Sequence, residues 1–83
     1  MNYLIFTQAG FEDAQENVLE NNATLWINDG ILSDKQLKAL SSADITINIL
    51  PILVNPTHEK EIFAAIETIE TEYPDTELFV EYL

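Results

Sequence analysis

The chain has 83 residues, of which 15 are aspartate or glutamate and three are lysine, so its formal net charge is -12. Charge of this size repels nucleic acid and anionic lipid and attracts basic protein surfaces, so we expect no direct contact with nucleic acid or membrane. The chain has no cysteine. This excludes disulfides, thiolate zinc sites and cysteine nucleophiles, and it is typical of a reducing compartment.

A single domain over residues 1–83 is predicted, because the chain is short and a hydrophobic fraction of 47% is ample for one core. The amino-terminal apolar run is far shorter than the hydrophobic region of a signal peptide, and no lysine or arginine precedes it. No apolar stretch reaches the ~20 residues that a bilayer span needs. We therefore expect a cytoplasmic protein.

In the amino-terminal half, strand and helix patterns alternate. Residues 3–6 are apolar on both faces, as in a central parallel strand. The helical repeat predicts a first helix over residues 11–21, which ends at an asparagine pair suited to the left-handed conformation. A second strand at residues 24–27 leads into the turn sequence Asn28-Asp29-Gly30.

The carboxyl-terminal half continues the alternation. Ser33 and Gln36 form a capping box, which predicts a second helix over residues 34–42. Alternating isoleucines predict a third strand at residues 45–50, and Asn55-Pro56 predicts the start of a third helix. The core residues expected on that helix are Ile62, Phe63, Ile66, Ile69 and Tyr73. A last strand at residues 78–83, with Glu81 among apolar residues, has the composition of an edge strand.

Strands and helices in this order predict an α/β fold, a three-layer sandwich with a four-stranded, mostly parallel sheet and three helices. Right-handed crossovers place the helices on both faces of the sheet. By analogy with flavodoxin-like sheets, the expected strand order is 2-1-3-4.

Polar residues in the loops after the strands are candidates for a ligand site, because ligands bind such sheets beyond the carboxyl ends of the strands. The candidate residues are Thr7, Gln8, Asn28, Asp29 and Asn55. These loops contain no lysine or arginine to hold a phosphate, and the loop after the first strand has only one glycine. Ordinary turn chemistry is the favoured interpretation.

Three further residues, His58, Asp29 and Trp26, are candidates for other roles. His58 has no nucleophile motif to serve as a general base, and Asp29 has no partner carboxylates at metal-ligand spacing. We therefore predict no catalytic residue, no metal, no cofactor and no enzymatic activity. Trp26 is interpreted as a core aromatic, with an interface role as the alternative if its strand lies at the sheet edge.

Acidic helix faces are the clearest functional signal. Glu12, Glu16 and Glu20 recur every four residues on the first helix, which has no lysine or arginine. The third helix carries Glu67, Glu70 and further glutamates whose charge no neighbouring lysine on the helix offsets. Solvated helices usually interleave opposite charges. The pattern indicates either an adaptation to a salt-rich or cold habitat or an interaction surface for a basic protein.

The leading hypothesis is a non-enzymatic binding protein that occupies a basic partner surface, as an immunity protein, an antitoxin-like inhibitor or a nucleic-acid mimic of phage or mobile elements would. Carboxylates four residues apart on a helix are about 6 Å apart, close to the spacing of phosphates along one DNA strand. The alternatives are a structural or regulatory subunit of a larger assembly and a small-molecule sensor. The apolar last strand also predicts that either another chain or a crossing helix covers this edge of the sheet, with a homodimer favoured over a monomer.

A short stretch also suggests a family. Residues 25–30, Leu-Trp-Ile-Asn-Asp-Gly, with the strand that follows at residues 45–50, resemble the small sulfur-relay proteins of the DsrE/DsrH kind. The resemblance implies a subunit of a sulfur-transfer assembly. Because the cysteine that carries sulfur is absent, it implies a non-catalytic subunit.

Overall fold

A computed structural model describes residues 1–81 and shows four parallel strands with helices on both sides. The strands are β1 (Asn2–Ile5), β2 (Thr24–Ile27), β3 (Ile47–Ile49) and β4 (Leu78–Val80), and the helices are α1 (Gln8–Glu20), α2 (Asp34–Ser42) and α3 (Glu59–Glu72). The predicted three-layer α/β class is confirmed. Tyr82 and Leu83, which the sequence assigned to the last strand, lie outside the described residues.

Strand order in the sheet is β3-β2-β1-β4. It differs from the expected 2-1-3-4 in the placement of the third strand: β3 pairs with β2 at an edge, and β1 pairs with both β2 and β4. The physical reason is burial. All four residues of β1 and three of the four in β2 are buried, whereas β3 and β4 contain none that is fully buried. The two strands with apolar residues on both faces therefore take the two central positions.

The two faces of the sheet carry different helices. Phe11 and Val18 of α1 and Leu40 of α2 pack with Tyr3 and Ile5 on one face. This arrangement follows from two successive right-handed crossovers that move across the sheet in the same direction. The third crossover returns from β3 to β4 and places α3 on the opposite face.

The α3 face has its own core. Leu4 of β1 and Trp26 of β2 pack with Ile62, Ala65 and Ile69 of α3. Trp26 is 7% exposed in an interior strand, so the core interpretation of this residue is confirmed. Its indole Nε1 donates a hydrogen bond to Oδ1 of Asn2 at 3.2 Å.

Local signals placed several boundaries correctly. Strand β2 and helix α2 occupy the predicted residues, and Ser33 and Gln36 make both hydrogen bonds of the capping box. Asn22 adopts the left-handed conformation with φ of 49° after α1, as expected for the asparagine pair. Short-range hydrogen bonding decides these boundaries, so the sequence predicts them well.

Helix α1 begins three residues earlier than expected, at Gln8 instead of Phe11. Thr7 is the N-cap, and its Oγ1 accepts a hydrogen bond from the Gly10 N–H at 3.1 Å. Residues 8–10 therefore form the first helical turn and not a loop. The glycine in that turn conceals the start, because glycine lowers helix propensity.

Helix α3 begins at Glu59, with His58 as an N-cap that makes no side-chain capping bond. The predicted start at Asn55-Pro56 was wrong. Asn55 instead stabilises a separate turn, because its Oδ1 accepts hydrogen bonds from the Thr57 N–H at 2.9 Å and from Thr57 Oγ1 at 2.7 Å. A local side-chain bond of this kind competes with helix formation.

The core stripe of α3 is narrower than predicted. Ile62 and Ile69 are buried as expected and Ile66 packs at the edge of the core, but Phe63 is 60% exposed and Tyr73 lies beyond the helix. Phe63 is one residue, and so about 100° around the helix, from Ile62. Across the described residues, no helix has the length and apolarity needed to cross a membrane.

Candidate functional site

Asn28 joins the carboxyl ends of two strands to the segment that follows β3. Its side chain is 5% exposed. Its Nδ2 donates to the carbonyl oxygens of Phe6 at 3.2 Å and Val54 at 2.8 Å, and its Oδ1 accepts from the Val54 N–H at 2.8 Å. The candidate ligand residue Asn28 thus holds residues 50–54 on the sheet.

Glu81 occupies the amino-terminal end of α1. Its carboxylate accepts hydrogen bonds from the backbone N–H of Phe6 at 2.7 Å, the N–H of Thr7 at 3.0 Å and the hydroxyl of Thr7 at 2.6 Å. A carboxylate is favourable there because the helix dipole presents positive potential at this end. The place where the strand order reverses, between β1 and β4, is therefore filled by the chain's own anion.

Gly10 leaves room for this contact. A Cβ at this position would overlap the Glu81 carboxylate. From the sequence, Glu81 is expected only as a charge on an edge strand, so its role at the start of α1 is new. The available signal was a single carboxylate that follows the last apolar strand residues, but its partners are about 75 residues away in the chain.

His58 and Glu61 form the one pair of basic and acidic side chains within 4 Å among residues 1–81, through a short hydrogen bond between Nδ1 and Oε2. The Glu61 carboxylate also accepts a hydrogen bond from the Asn55 N–H at 3.3 Å. The hydrogen bond with His58, and then that from Asn55, lower the pKa of the Glu61 carboxyl from its ordinary value. The pair therefore fastens the start of α3 to the preceding turn.

Replacing His58 with alanine should raise the pKa of Glu61 toward its ordinary value, because the largest cause of the lowering is removed. A carboxyl with a lowered folded-state pKa stabilises the fold above its unfolded pKa, and this stabilisation is lost as pH falls through the folded pKa. The wild type should therefore lose a small stabilisation as the pH falls through this acidic range. The variant should not show this loss, because it lacks the stabilising hydrogen bond. Carbon-13 NMR titration of the Glu61 carboxyl measures the change, with Lys60→Ala as control. An unchanged Glu61 titration in His58→Ala would contradict the assignment.

The other candidate ligand residues do not form a reactive cluster. Thr7 caps α1 and Asn55 stabilises its own turn. Gln8 lies in the first turn of α1, and Asp29 is exposed in the turn after β2. Within residues 1–81, no three histidine, aspartate or glutamate side chains come together as metal ligands.

The predicted partner-binding glutamates fall on two surfaces. Glu12, Glu16 and Glu20 are exposed on α1, whereas Glu67 and Glu70 are exposed on α3, on the other face of the sheet. One flat partner surface cannot contact both sets. The structure thus divides a single predicted surface into an α1 row, defined as Glu12, Glu16 and Glu20, and an α3 side.

An apolar groove lies beside α3, and sequence analysis did not predict it. It encloses about 200 Å³ between the segment 50–54 and one side of the helix. The residues that line it are Trp26, Leu50, Pro51, Ile52, Leu53, Val54, Glu61, Ala64, Ala65 and Thr68. Ile52 is 75% exposed and Leu53 is 64% exposed, so apolar side chains extend from the groove to solvent.

An open shelf continues the groove along α3. It shares Ala64 and Thr68 with the groove and adds Glu67, Thr71 and Glu72. The sequence signal was the run Pro51-Ile52-Leu53-Val54, whose apolar residues follow a strand without strand alternation or helical spacing. Such a run indicates an apolar loop, but only the packing of α3 shows that its residues form one wall of a groove.

Comparisons with known proteins add no family to this description. The chain matches no family model, and no significant match was found among curated proteins or solved structures. The resemblance of residues 25–30 to sulfur-relay proteins therefore gains no support from them.

Proposed function

We propose that this chain is a non-enzymatic acidic binding protein that occupies a basic surface on a protein partner, in the manner of an immunity protein, an antitoxin-like inhibitor or a nucleic-acid mimic. The observation that supports it is the α1 row, three exposed glutamates one helical turn apart. Among residues 1–81, no basic side chain lies within 4 Å of these carboxylates, so their negative charge is not neutralised within the protein. The proposal places the protein in the cytoplasm.

The charge of the row is available to a partner because the fold does not use it. Glu12, Glu16 and Glu20 point away from the buried stripe of Phe11 and Val18. Like charges four residues apart destabilise a helix by a few tenths of a kcal/mol for each pair. A basic partner surface would relieve this repulsion on binding and would be attracted over several ångströms before contact.

Replacing Glu12, Glu16 and Glu20 with glutamine should slow association with a basic partner about tenfold or more at low salt and should leave the fold as stable or slightly more stable. The partner is first isolated from source lysate at low salt and released at high salt, and the purified complex is then measured by surface plasmon resonance. A matched control carries Asp44→Asn, Asp75→Asn and Glu77→Gln, which removes three exposed charges outside α1. Equal association rates for the two triple variants would contradict the assignment of the row.

A second candidate, a subunit of a larger assembly, is favoured by the edge of the sheet at β3. The Leu25 N–H donates to Thr46 O and the Leu50 N–H donates to Ile27 O, each at 2.8 Å. In a parallel pair this pattern turns the backbone groups of Ile47 and Ile49 outward. Ile49 is also 46% exposed, so backbone and apolar groups for a further strand lie together at this edge.

Two further hypotheses concern a homodimer and a small-molecule sensor. Homodimer formation through β4 stays a prediction, and β4 does lie at an edge of the sheet. A small-molecule sensor is less favoured, because the polar side chains of Thr7, Asn28 and Asn55 already bond to the fold.

A further inference from the structure

The α3 face of the sheet is covered by one helix, whereas the other face is covered by two. Four strands spaced about 4.8 Å apart span about 14 Å between the outer strand axes, and a helix with its side chains is about 10 Å wide. The buried residues of helix α3 form one cluster with Leu4 of β1 and Trp26 of β2, and Leu78 and Val80 of β4 pack against this cluster. The half of this face over β2 and β3 is left to Trp26 and the segment 50–54, and the groove lies there.

Side-chain size along α3 keeps this half accessible. Ala64, Thr68 and Thr71 border the groove and its shelf, and their spacing of four and three residues puts them in one line along the helix. Small residues in a line form a shallow channel. Leu53 stands on the opposite wall with 64% of its surface exposed, so an apolar side chain between these walls would bury area on both sides.

The carboxylates around the channel favour a basic partner over a second copy of this chain. Glu61 borders the groove, and Glu67 and Glu72 border the shelf. Among the described residues that line either part, none is a lysine. A second copy of this chain would bring another net charge of -12 to these carboxylates, which opposes self-association here. A partner with positive charge on either side of an apolar stripe complements both features.

We infer that the groove beside α3 binds an amphipathic basic helix of a partner protein. The apolar stripe of that helix inserts between Leu53 and the line from Ala64 to Thr71, and its lysines or arginines contact Glu61, Glu67 and Glu72. Apolar anchors at helical spacing are the ordinary mode of helix recognition in a groove. The inference rests on the proposed function in one respect, since the partner must be basic. It adds a second binding face, on the side of the sheet opposite the α1 row, and the shape of the segment recognised there.

The test uses two synthetic 18-residue peptides of leucine and lysine with the same composition. In the first, leucines recur at i, i+3, i+4 and i+7, and in the second their order is scrambled. Binding is measured by fluorescence anisotropy at 50 and 300 mM salt, and the contact face is mapped by amide NMR shifts. We expect the striped peptide to bind at least about tenfold more tightly than the scrambled one and to shift the amides of Leu53, Ala64 and Thr68.

Two variant pairs separate shape from charge. Leu53→Ser should weaken binding of the striped peptide about tenfold, whereas Leu19→Ser, on the exposed side of α1, should leave it unchanged. Glu67→Gln with Glu72→Gln should weaken binding and reduce its salt dependence, and Asp75→Asn with Glu77→Gln should do so less. All four of these variants are compared with the wild type in the same thermal unfolding assay, so loss of the fold is detected directly.

The outcomes distinguish the two proposals. Equal affinity for both peptides, with shifts confined to α1, would overturn the groove assignment and leave the acidic binding function standing. Absence of binding by both peptides would overturn the groove inference, whereas the proposed function is judged by the lysate partner and the variant of the α1 row. A concentration-dependent dimer in light scattering that Leu53→Ser abolishes would also overturn the inference, because it would assign the groove to a second copy.

Discussion

Asn28→Ala should destabilise the protein by about 3 kcal/mol or more, because the buried Asn28 side chain makes three hydrogen bonds to the backbone. Three hydrogen bonds are lost, and the Phe6 carbonyl and both backbone groups of Val54 are left without them in a buried place. A domain of this size is stabilised by only about 4–12 kcal/mol. Urea unfolding followed by tryptophan fluorescence measures the change.

Asn21→Ala is the matched control. The Asn21 side chain makes one exposed hydrogen bond, from Nδ2 to the Asn17 carbonyl at 2.9 Å. This variant should lose less than about 1 kcal/mol. Equal losses for the two variants would contradict the role assigned to Asn28.

Release of the segment 50–54 gives a second measurement for Asn28. The Val54 N–H is bonded to the Asn28 side chain, so its hydrogen exchange should accelerate strongly in Asn28→Ala, beyond the change at amides of the sheet centre. Because Val54 and Leu50 line the groove, the same variant should weaken binding of the striped peptide. Uniform acceleration across the chain would show global destabilisation without local release.

Glu81→Ala should lower stability by about 2 kcal/mol, which corresponds to roughly 10 °C in Tm for a domain of this length. The variant removes a carboxylate that accepts three hydrogen bonds at the start of α1 and ties β4 to β1. Glu81→Gln should lie between the wild type and Glu81→Ala, since one acceptor oxygen remains but the charge is lost. Differential scanning calorimetry measures the series, with the exposed Glu77→Gln as control.

Gly10→Ala tests the geometry of the same contact. Alanine in a helix usually stabilises by about 0.5–1 kcal/mol relative to glycine. Here the added methyl would displace the Glu81 carboxylate, so Gly10→Ala should destabilise the wild type. In the Glu81→Ala background the same change should become neutral or stabilising. A Gly10→Ala effect that is the same in both backgrounds would refute the proposed contact.

Local sequence determined the class of the fold and several of its boundaries. The apolar runs of β1 and β2, the Ser33–Gln36 capping box and the left-handed Asn22 each depend on neighbours within about four residues. Hydrogen bonds and hydrophobic periodicity over about four residues can be predicted from the order of the amino acids alone. The exposed α1 row is predicted equally well, because it follows from helical spacing alone.

Tertiary structure decided what depends on distant partners. Three features join residues that are 20 or more positions apart in the chain. They are the pairing of β3 with β2, the contacts of Glu81 with Phe6 and Thr7, and the hydrogen bonds of Asn28 with Val54. No local period encodes such pairings, since they arise from which strands are buried on both faces and from the direction of each crossover. The groove exists for the same reason: one helix cannot cover four strands, and only the packed sheet shows which half is left open.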